Sequence, residues 1–454
     1  MLFSSIEFIF VFLPASLAFY FITPRKQKNL TLFIFSLIFY GWGEPRFLFL
    51  MLATITADFL FGILIDKKRS QAKLWLTLAV VSNLAVLAFF KYLSPTLNFL
   101  NIPFIDLALP VGISFYTFQS LSYVVDVYRG EAAQKSPVAF GTYITMFPQL
   151  VAGPIVKYGD ISSQLNIRTV NAEKFEKGIR RFVLGLAKKI IFANSAGEMW
   201  SYFSELPRSQ LSTLGAWLGI LFYAFQIYFD FSGYSDMAIG MGHFFGFEFS
   251  ENFNYPYTAK SIKDFWRRWH ISLSTWFKEY LYIPLGGNRK GTRRTVLNML
   301  IVWACTGIWH GAGLNFLVWG LYYFLLLTCE KLFWGKLLDK APALIRHTYS
   351  LILILIGWVF FSARNLSDSF SYLSRMFSFS APSTLEIYHF VRNIPFLLLL
   401  ALGSTQLPKK AYEVITSGSS LRKFAISLGG LSVFILCVAE LVSSSYNPFL
   451  YFRF

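Results

Sequence analysis

The sequence contains little charge for its length. Asp, Glu, Lys and Arg together make up 14% of its 454 residues, whereas hydrophobic residues make up 55%. Ordinary soluble domains are about one quarter charged. Because apolar runs recur from one end of the chain to the other, the composition excludes a soluble domain with a single anchor. It predicts an all-α polytopic membrane protein.

Cysteine is also scarce, and its spacing matches neither a metal site nor a disulfide framework. Each cysteine stands within an apolar run or at the end of one, where a thiol behaves as a small hydrophobic group. We therefore expect buried, inert thiols at Cys305, Cys329 and Cys437.

Acidic residues are the scarcer charge, with 24 Asp and Glu against 41 Lys and Arg and a net charge of +17. The cations stand in short clusters between apolar runs, as they do in the cytoplasmic loops of membrane proteins. We therefore expect contact with a lipid bilayer and no nucleic acid partner. The first apolar run lacks a preceding basic region and carries Glu7, which predicts a retained transmembrane helix rather than a signal peptide.

The sequence lacks the motifs of a self-sufficient catalytic site. It has no Gly-x-Ser-x-Gly nucleophile elbow, no Gly-rich phosphate loop and no ligand spacing for a metal. We expect no metal and no permanently bound cofactor. Five histidines remain, and an imidazole can serve as a general base for a hydroxyl or thiol that another molecule supplies.

Apolar runs of about 20 residues can cross a bilayer, and the cation clusters between them predict their orientation. Lys67 and Arg289 are predicted to face the cytoplasm, and Glu44 and Phe454 the outside. We expect about eleven crossings in one domain, residues 1–454, with re-entrant and interfacial helices. The predicted crossings are Ile6–Ile22, Leu30–Trp42, Phe47–Ile65, Leu74–Phe90, Leu107–Val125, Ile190–Phe203, Leu214–Phe229, Phe316–Leu327, Leu351–Phe361, Ile394–Leu402 and Phe424–Val442.

One apolar stretch, Phe140–Val156, is interrupted by Pro148, Gly153 and Pro154. Non-helical backbone at membrane depth persists only where protein buries it or where it lines a cavity. This stretch is therefore predicted to be a re-entrant element.

The segment from Lys260 to Tyr280 combines aromatic, basic and imidazole side chains. Wound as one helix, it places apolar residues on one stripe and cations on a neighbouring face, with His270 at their border. This pattern predicts an amphipathic helix in the membrane–water interface. The stripe consists of Ile262, Phe265, Trp266, Trp269, Leu273, Trp276, Phe277 and Tyr280, and the basic face of Lys260, Lys263, Arg267 and Lys278.

A second histidine, His310, ends a short apolar run. The run from Thr295 to Trp309 has 15 residues, about 22 Å as a helix against a hydrocarbon thickness of about 30 Å. A helix that starts at the cytoplasmic interface would therefore stop short of the far side, and Gly311-Ala312-Gly313 would break it. An ionisable group inside the membrane is a candidate functional residue; the alternative is a core histidine that bonds a neighbouring helix.

At these residues the sequence resembles the membrane-bound O-acyltransferase family, and within it the bacterial alginate O-acetyltransferase branch. Six motifs carry the resemblance in order along nearly the whole chain. They are Leu109–Gln119 (LPVGISFYTFQ), Phe147–Pro154 (FPQLVAGP), Asp230–Ala238 (DFSGYSDMA), Phe265–Ser274 (FWRRWHISLS), Pro284–Arg289 (PLGGNR), and Trp309-His310-Gly311 with Asn315 and Trp319-Gly320, followed by the tail Asn447-Pro448-Phe449.

The resemblance implies a helical fold around a central tunnel, with His310 near mid-depth and His270 as the second catalytic histidine. An acyl group would arrive as a cytoplasmic thioester, either acetyl-CoA or an acyl carrier protein, and pass to an acceptor on the outer face. Because the sequence shows no extracytoplasmic domain, an extracytoplasmic acyltransferase partner is implied. Candidates for contacting the donor or lining the tunnel are Lys263, Arg267, Trp309, Asn315, Asp236 and Gln119.

Several of these residues have structural alternatives. The basic face beside His270 either binds a phosphate-bearing donor or meets anionic lipid headgroups. Asp230 and Asp236 either orient a reacting group or cap helices beside Ser232 and Ser235, and capping is favoured. Asn315 either lies in the tunnel or joins two helices.

The expected function is therefore an O-acetyltransferase of the bacterial cytoplasmic (inner) membrane that acts on a cell-envelope polysaccharide such as alginate. Peptidoglycan O-acetylation and D-alanylation of teichoic acid are alternatives within the family. A polysaccharide exporter or transporter is an alternative from another class, although such proteins carry internal pseudo-symmetry, which this sequence does not show. A membrane scaffold would need neither histidine.

Overall fold

The structure, a computed structural model, describes residues 1–100, 102, 108–150, 153–416, 420–444 and 446–448. These residues are mostly helical and contain no β-strand. The chain forms two compact units, one comprising Met1–Gly185 with Tyr234–Glu251, and the other Leu186–Gly233 with Asn252–Phe454. The expectation of a single domain stays a prediction.

The first unit begins with a π-helical turn, Phe8–Phe12, that continues into the first α-helix. Aromatic side chains from distant segments pack in its interior; Phe147, for example, meets Phe12 and Phe245 edge to face with centroids 5.2 and 5.6 Å apart. The helices of this unit are α1 (Leu13–Ile22), α2 (Lys28–Gly43), α3 (Leu48–Lys67), α4 (Ala72–Phe99), α5 (Ile113–Arg129), α6 (Pro137–Thr145), α7 (Phe147–Leu150), α8 (Tyr158–Asn166) and most of α9 (Ala172–Ala187).

The second unit holds both candidate histidines. One helix, α11, contributes residues to both units, since the division falls between Gly233 and Tyr234. The helices that begin after α9 are α10 (Ser195–Glu205), α11 (Thr213–Phe244), α12 (Ile262–Trp266), α13 (Ile271–Phe277), α14 (Gly291–His310), α15 (Leu314–Cys329), α16 (Gly335–Lys340), α17 (Ala343–Ser362), α18 (Leu366–Met376), α19 (Thr384–Gly403), α20 (Leu407–Thr416) and α21 (Ser420–Ser443).

Within the described ranges, seven helical segments are long and apolar enough to cross a membrane. Most expose apolar side chains to the exterior: only 28% of the Leu48–Lys67 window is buried. Such a surface is stable against lipid hydrocarbon rather than water. The segments are Leu48–Lys67, Arg69–Leu97, Thr213–Phe244, Leu314–Lys340, Ala343–Ser362, Thr384–Gly403 and Phe424–Ser443, and Phe8–Ile22 is a shorter apolar helix.

The crossing predicted at Leu214–Phe229 continues for another four turns, because α11 runs for 32 residues from Thr213 to Phe244. Asp230 and Asp236 therefore lie inside a helix, where all backbone N–H groups already have partners. The predicted capping role of these two residues is wrong.

Two further expectations need correction. The predicted crossing Ile190–Phe203 lies within a longer helical stretch from Ala172 to Glu205, in which a π-helical segment, Lys188–Asn194, joins α9 to α10. Cys305 is exposed on its helix rather than buried, whereas Cys437 is buried.

The interruption predicted in Phe140–Val156 is present. Helix α6 ends at Thr145, the chain turns at Met146, and the single turn α7 follows. The described side chains of this stretch are buried, and the Tyr143 hydroxyl donates to the carbonyl oxygen of Val156 at 3.0 Å. Residues 151–152 and part of the predicted Leu107–Val125 crossing lie outside the described residues, as does Phe454.

Candidate active site

The segment around His270 is not the single amphipathic helix that its periodicity predicts. Helix α12 ends at Trp266, α13 begins at Ile271, and the chain between them turns. The break occurs because His270 has φ of 43° and ψ of 57°, a left-handed conformation that no α-helix contains. The basic residues of the segment therefore do not share one helical face, although the predicted apolar stripe is largely buried.

This backbone conformation is costly for a residue with a β-carbon. Left-handed non-glycine residues cost about 1–3 kcal/mol and cluster at functional sites. Among the described non-glycine residues, Tyr255, His270 and Phe379 have positive φ, and the first two stand on either side of α12 along the chain. The strain at His270 is therefore an observation that favours a role beyond packing.

The side chain of His270 is held by a polar group that the sequence pattern did not reveal. Nδ1 lies 3.0 Å from Oδ1 of Asn252, a fully buried side chain. The same oxygen accepts hydrogen bonds from the backbone N–H of Ser272 at 3.2 Å and from its hydroxyl at 2.9 Å. The backbone N–H of Ile271 donates to the carbonyl oxygen of Asn252 at 2.9 Å, so Asn252 fixes both the ring and the backbone beside it.

Burial determines the charge of this imidazole. His270 is 2% exposed, and its ring meets Phe231 edge to face at a centroid distance of 4.6 Å. Because the charged form loses its hydration, burial lowers the pKa of His270 from 6.5 to about 3. His270 is therefore neutral at physiological pH.

His310 ends its helix, as predicted. Helix α14 begins at Gly291, four residues before the apolar run, and its first turn carries Arg293 and Arg294. The apolar part of the helix keeps its predicted length. Gly311 follows in an extended conformation, with φ of −179°, so the chain leaves the helix directly after the imidazole.

Three aromatic rings surround the His310 imidazole, which is 8% exposed. The centroid distances are 4.8 Å to Trp309, 4.9 Å to Trp319 and 5.0 Å to Phe361, and all three contacts are edge to face. Such contacts hold a ring in one orientation and exclude water from it. Trp309 and Trp319 come from α14 and α15, whereas Phe361 comes from α17.

Ring contacts also connect the surroundings of the two histidines within the second unit. Phe253 packs against Trp269 at 5.1 Å and near His270 at 6.4 Å. Trp269 meets Trp358 at 4.9 Å, and Trp358 meets Phe361 at 5.5 Å. Both imidazoles are thus parts of one buried aromatic cluster.

Two glycines allow α14 and α15 to pack closely behind His310. A β-carbon on Gly320 would overlap the carbonyl oxygen of Trp303, and one on Gly307 would lie 2.5 Å from the carbonyl oxygen of Phe316. The backbones can approach this closely only because neither position has a side chain.

Lys263 and Arg267, the predicted donor contacts, are both exposed. Lys263 lies in the first turn of α12, where the carboxylate of Glu330 accepts from the backbone N–H groups of Ile262 and Lys263 at 2.7 and 3.0 Å. Arg267 is the first residue after α12, at the start of the turn to His270. Both cations are accessible to a ligand, and since Arg267 keeps right-handed helical backbone angles four positions after Lys263, the two lie on the same side of α12.

Asn315 joins two helices. Its side-chain amide donates to the carbonyl oxygens of Phe360 and Ala363, both at 3.1 Å, at the end of α17. This geometry matches the alternative in which Asn315 connects helices, and it keeps Phe361 against His310.

Asp236 and Gln119 belong to the first unit. Arg181 donates through Nε to Asp236 at 2.8 Å and through a terminal nitrogen to Glu251 at 2.9 Å. Gln119 is fully buried, and neither of its side-chain polar atoms has a hydrogen-bond partner among the described residues. Asp236 therefore has a structural ion-pair partner in Arg181, whereas the buried side-chain amide of Gln119 has no hydrogen-bond partner among the described residues.

Two important residues escaped the sequence interpretation. Asn252 stands 18 positions before His270, and no helical periodicity connects the two. Lys189 forms a buried ion pair with Asp230, although it follows Lys188 in what reads as an ordinary basic cluster. The only available signal was the position of each at the edge of an apolar run.

Comparison with known proteins adds independent information. The profile described as "MBOAT, membrane-bound O-acyltransferase family" matches residues 75–371. The chain is 38% identical to the probable alginate O-acetylase AlgI of Azotobacter vinelandii, over the full length of both. It is 35% identical to the peptidoglycan O-acetyltransferase of Helicobacter pylori, over 83% of this chain and 80% of that relative. It is 30% identical to the teichoic acid D-alanyltransferase of Bacillus subtilis, over 51% of this chain and 62% of that relative.

Proposed function

The chain belongs to the membrane-bound O-acyltransferase family, and we propose that it passes an acetyl group across the membrane to a cell-envelope polysaccharide. The family and the apolar helices identify a multi-pass membrane acyltransferase. The remaining parts of the proposal are the acceptor, the donor, the partner and the chemical step.

The proposed acceptor is an extracytoplasmic polysaccharide such as alginate. Similarity to the Azotobacter relative spans both chains completely, whereas the relatives that modify peptidoglycan and teichoic acid match less of this chain. Peptidoglycan O-acetylation is the second candidate, since that relative still covers most of the chain.

The proposed setting is the bacterial cytoplasmic membrane, with about eleven crossings and re-entrant elements around a central tunnel. Seven helical segments of sufficient length and the buried break at Met146 support this architecture. The shorter apolar helices, such as Phe8–Ile22, would supply further crossings next to their neighbours.

The proposed donor is a cytoplasmic thioester, either acetyl-CoA or an acyl carrier protein. Both carry a phosphate, and the exposed Lys263 and Arg267 supply positive charge a few residues from His270. A separate extracytoplasmic acyltransferase would receive the group and transfer it to the polysaccharide.

One observation carries the chemical step, namely the position of His310 at the end of α14 inside an aromatic enclosure. We assign its imidazole the role of general base, which takes the proton of a hydroxyl or thiol as that group attacks the thioester carbonyl. The C–S bond of the thioester then breaks, and the imidazolium returns the proton to the departing thiolate. The carbonyl end of a helix is the negative end of its dipole, which stabilises a positive charge on an imidazole there. The water-poor surroundings keep the thioester from hydrolysis.

The test is transfer from radiolabelled acetyl-CoA to an alginate oligosaccharide, in membrane vesicles of the native host, which retain any partner protein. His310→Asn preserves approximate size and should lower turnover by about 10²–10⁴-fold. His243→Asn is the matched control, because His243 is also buried but belongs to the first unit. A well-inserted His310→Asn protein with normal turnover contradicts the mechanism.

The same assay distinguishes an acetyltransferase from a polysaccharide exporter or transporter. An exporter would move polysaccharide without consuming acetyl-CoA, so the wild-type vesicles would transfer no label. Label that appears on the oligosaccharide and disappears with His310→Asn supports the acetyltransferase.

A further inference from the structure

The hydrogen bonds around Asn252 determine which nitrogen of His270 carries the proton. A backbone N–H can only donate, and that of Ser272 points at the Asn252 side chain at 3.2 Å. The atom facing it must therefore be the amide oxygen, Oδ1, and not the NH₂ group. The Ser272 hydroxyl donates to the same oxygen at 2.9 Å. Two hydrogen-bond donors of Ser272 therefore fix the orientation of the Asn252 amide.

This oxygen in turn determines the tautomer of the ring. Nδ1 of His270 lies 3.0 Å from Oδ1, which has no hydrogen to offer. The second neighbour of Nδ1, the Ser272 hydroxyl at 3.5 Å, already directs its hydrogen to Asn252. Nδ1 must therefore carry the hydrogen. Because burial keeps the ring neutral, Nε2 has a lone pair and no hydrogen.

Nε2 is buried, and no described residue forms a hydrogen bond with it. A buried polar atom without a partner costs about 1–3 kcal/mol, and the left-handed backbone of the same residue adds strain. An open lone pair on a strained and tightly held ring is a site prepared for a ligand group that donates a hydrogen bond.

We propose that Asn252 is a positioning residue that locks His270 in the Nδ1–H tautomer, so that Nε2 accepts a hydrogen bond from a substrate hydroxyl or amide N–H. This inference rests on the proposed function and refines it. His270 in this state cannot donate from Nε2 to a thioester carbonyl or to the oxyanion that forms from it. Its role is to accept a hydrogen bond from a substrate group. That group is either an amide N–H of the phosphopantetheine arm of acetyl-CoA or the hydroxyl of the acceptor.

The wild-type tautomer can be measured without any assay of activity. Nitrogen-15 NMR of the full chain, labelled at histidine in lipid bilayers, distinguishes protonated from unprotonated ring nitrogens. The chain has only five histidines, so the His270→Gln difference spectrum identifies the signal. We expect protonated Nδ1 and unprotonated Nε2. Protonated Nε2 in the wild type overturns the inference.

Two near-isosteric variants separate positioning from packing. Asn252→Leu removes the accepting oxygen, whereas Asn252→Asp retains one. In the Leu variant, His270 should no longer hold the single Nδ1–H tautomer, and kcat should fall at least tenfold. The Asp variant should keep the wild-type tautomer and the wild-type kcat. A folded Leu variant with the wild-type tautomer and kcat overturns the assignment.

The kinetics of His270→Gln distinguish the two sources of the hydrogen bond. A raised KM for acetyl-CoA assigns it to the phosphopantetheine arm, and a lowered kcat at an unchanged KM for acetyl-CoA assigns it to the hydroxyl that attacks the thioester. An unchanged kcat together with an unchanged KM for acetyl-CoA overturns the proposed contact. If His270 has the expected tautomer while His310→Asn keeps full turnover, the role of His310 as general base is contradicted. The role of Asn252 in setting the tautomer of His270 is then still supported.

Discussion

Lys189 and Asp230 form an ion pair inside the second unit, with 2.7 Å between Nζ and Oδ1 and side chains only 2% and 4% exposed. Lys189 also donates to the carbonyl oxygen of Pro448, and Asn194 donates to that of Tyr446 at 3.1 Å. The ion pair therefore connects the helix that precedes α10, the middle of α11 and the C-terminal segment.

Loss of one member of this pair should destabilise the protein strongly. Asp230→Asn leaves a buried ammonium group without its counter-charge, which costs about 3–5 kcal/mol, while Asp230→Asn with Lys189→Met should recover part of that loss. Thermal unfolding of the purified proteins measures both effects. Glu413→Gln is the control, because the exposed Lys409–Glu413 pair, 3.9 Å apart, contributes at most about 1 kcal/mol. Equal changes in Tm at both pairs would contradict the prediction.

Gly320→Ala should lower turnover more than it lowers stability. The new β-carbon would overlap the carbonyl oxygen of Trp303, so α14 and α15 must separate and move His310 relative to Trp319. A displacement of about 1 Å at a catalytic group can cost about a hundredfold in rate. Gly429→Ala provides the control, because nothing lies within 4 Å of its β-carbon; it should leave acetyl transfer unchanged and raise Tm slightly. Normal turnover of Gly320→Ala would show that the close packing is not needed for catalysis.

Lys263→Gln combined with Arg267→Gln should raise the KM for acetyl-CoA, with an effect that shrinks as salt is added, because salt screens the wild-type attraction. The exposed Lys409→Gln with Lys410→Gln changes the net charge equally and should leave this KM unaltered. If both double variants behave alike, the two cations meet lipid headgroups rather than the donor.

His270 should make the protein less stable in acid. Its pKa is about 3 in the folded state against 6.5 in the unfolded chain. Between these values the unfolded chain binds a proton that the folded protein does not. The free energy of unfolding therefore falls by up to about 1.4 kcal/mol for each unit by which the pH is lowered. This contribution is absent above about pH 6.5. Comparison of Tm against pH for the wild type and His270→Gln tests it, and parallel curves below pH 6.5 would refute it.

The orientation of the loops is still a prediction. Cysteines introduced at Lys67 and Arg289 should resist an impermeant thiol reagent in intact cells, whereas one at Glu44 should react, because cation-rich loops stay in the cytoplasm. A cysteine-free background is needed, since Cys305 is exposed. Labelling at position 289 in intact cells would contradict the topology.

Much of the architecture could be predicted because it depends on local composition. Apolar runs identified the helices α2, α3, α15 and α21 to within a few residues, since length and hydropathy alone make a segment able to cross a bilayer. Helices α17 and α19 begin at Ala343 and Thr384, more than two turns before the predicted runs, because their first turns are polar. The end of α14 at His310 was also predictable, because Gly311-Ala312-Gly313 cannot easily continue a helix. The motifs around both histidines sufficed to predict the family.

The contacts that prepare the site could not be predicted, because they join residues without any local pattern. Helical periodicity placed His270 at the edge of an amphipathic helix, but a left-handed backbone at that residue breaks the helix and turns the ring into the protein. The reason lies in Asn252, 18 positions away, whose carbonyl and amide oxygens bind Ile271, His270 and Ser272. The charges of Asp230 and Asp236 suggested helix caps, whereas Lys189 and Arg181 neutralise them within α11. The sequence by itself thus determined the helices and the chemistry available to the chain, and tertiary packing decided the tautomer, charge and surroundings of its histidines, because these depend on contacts between segments.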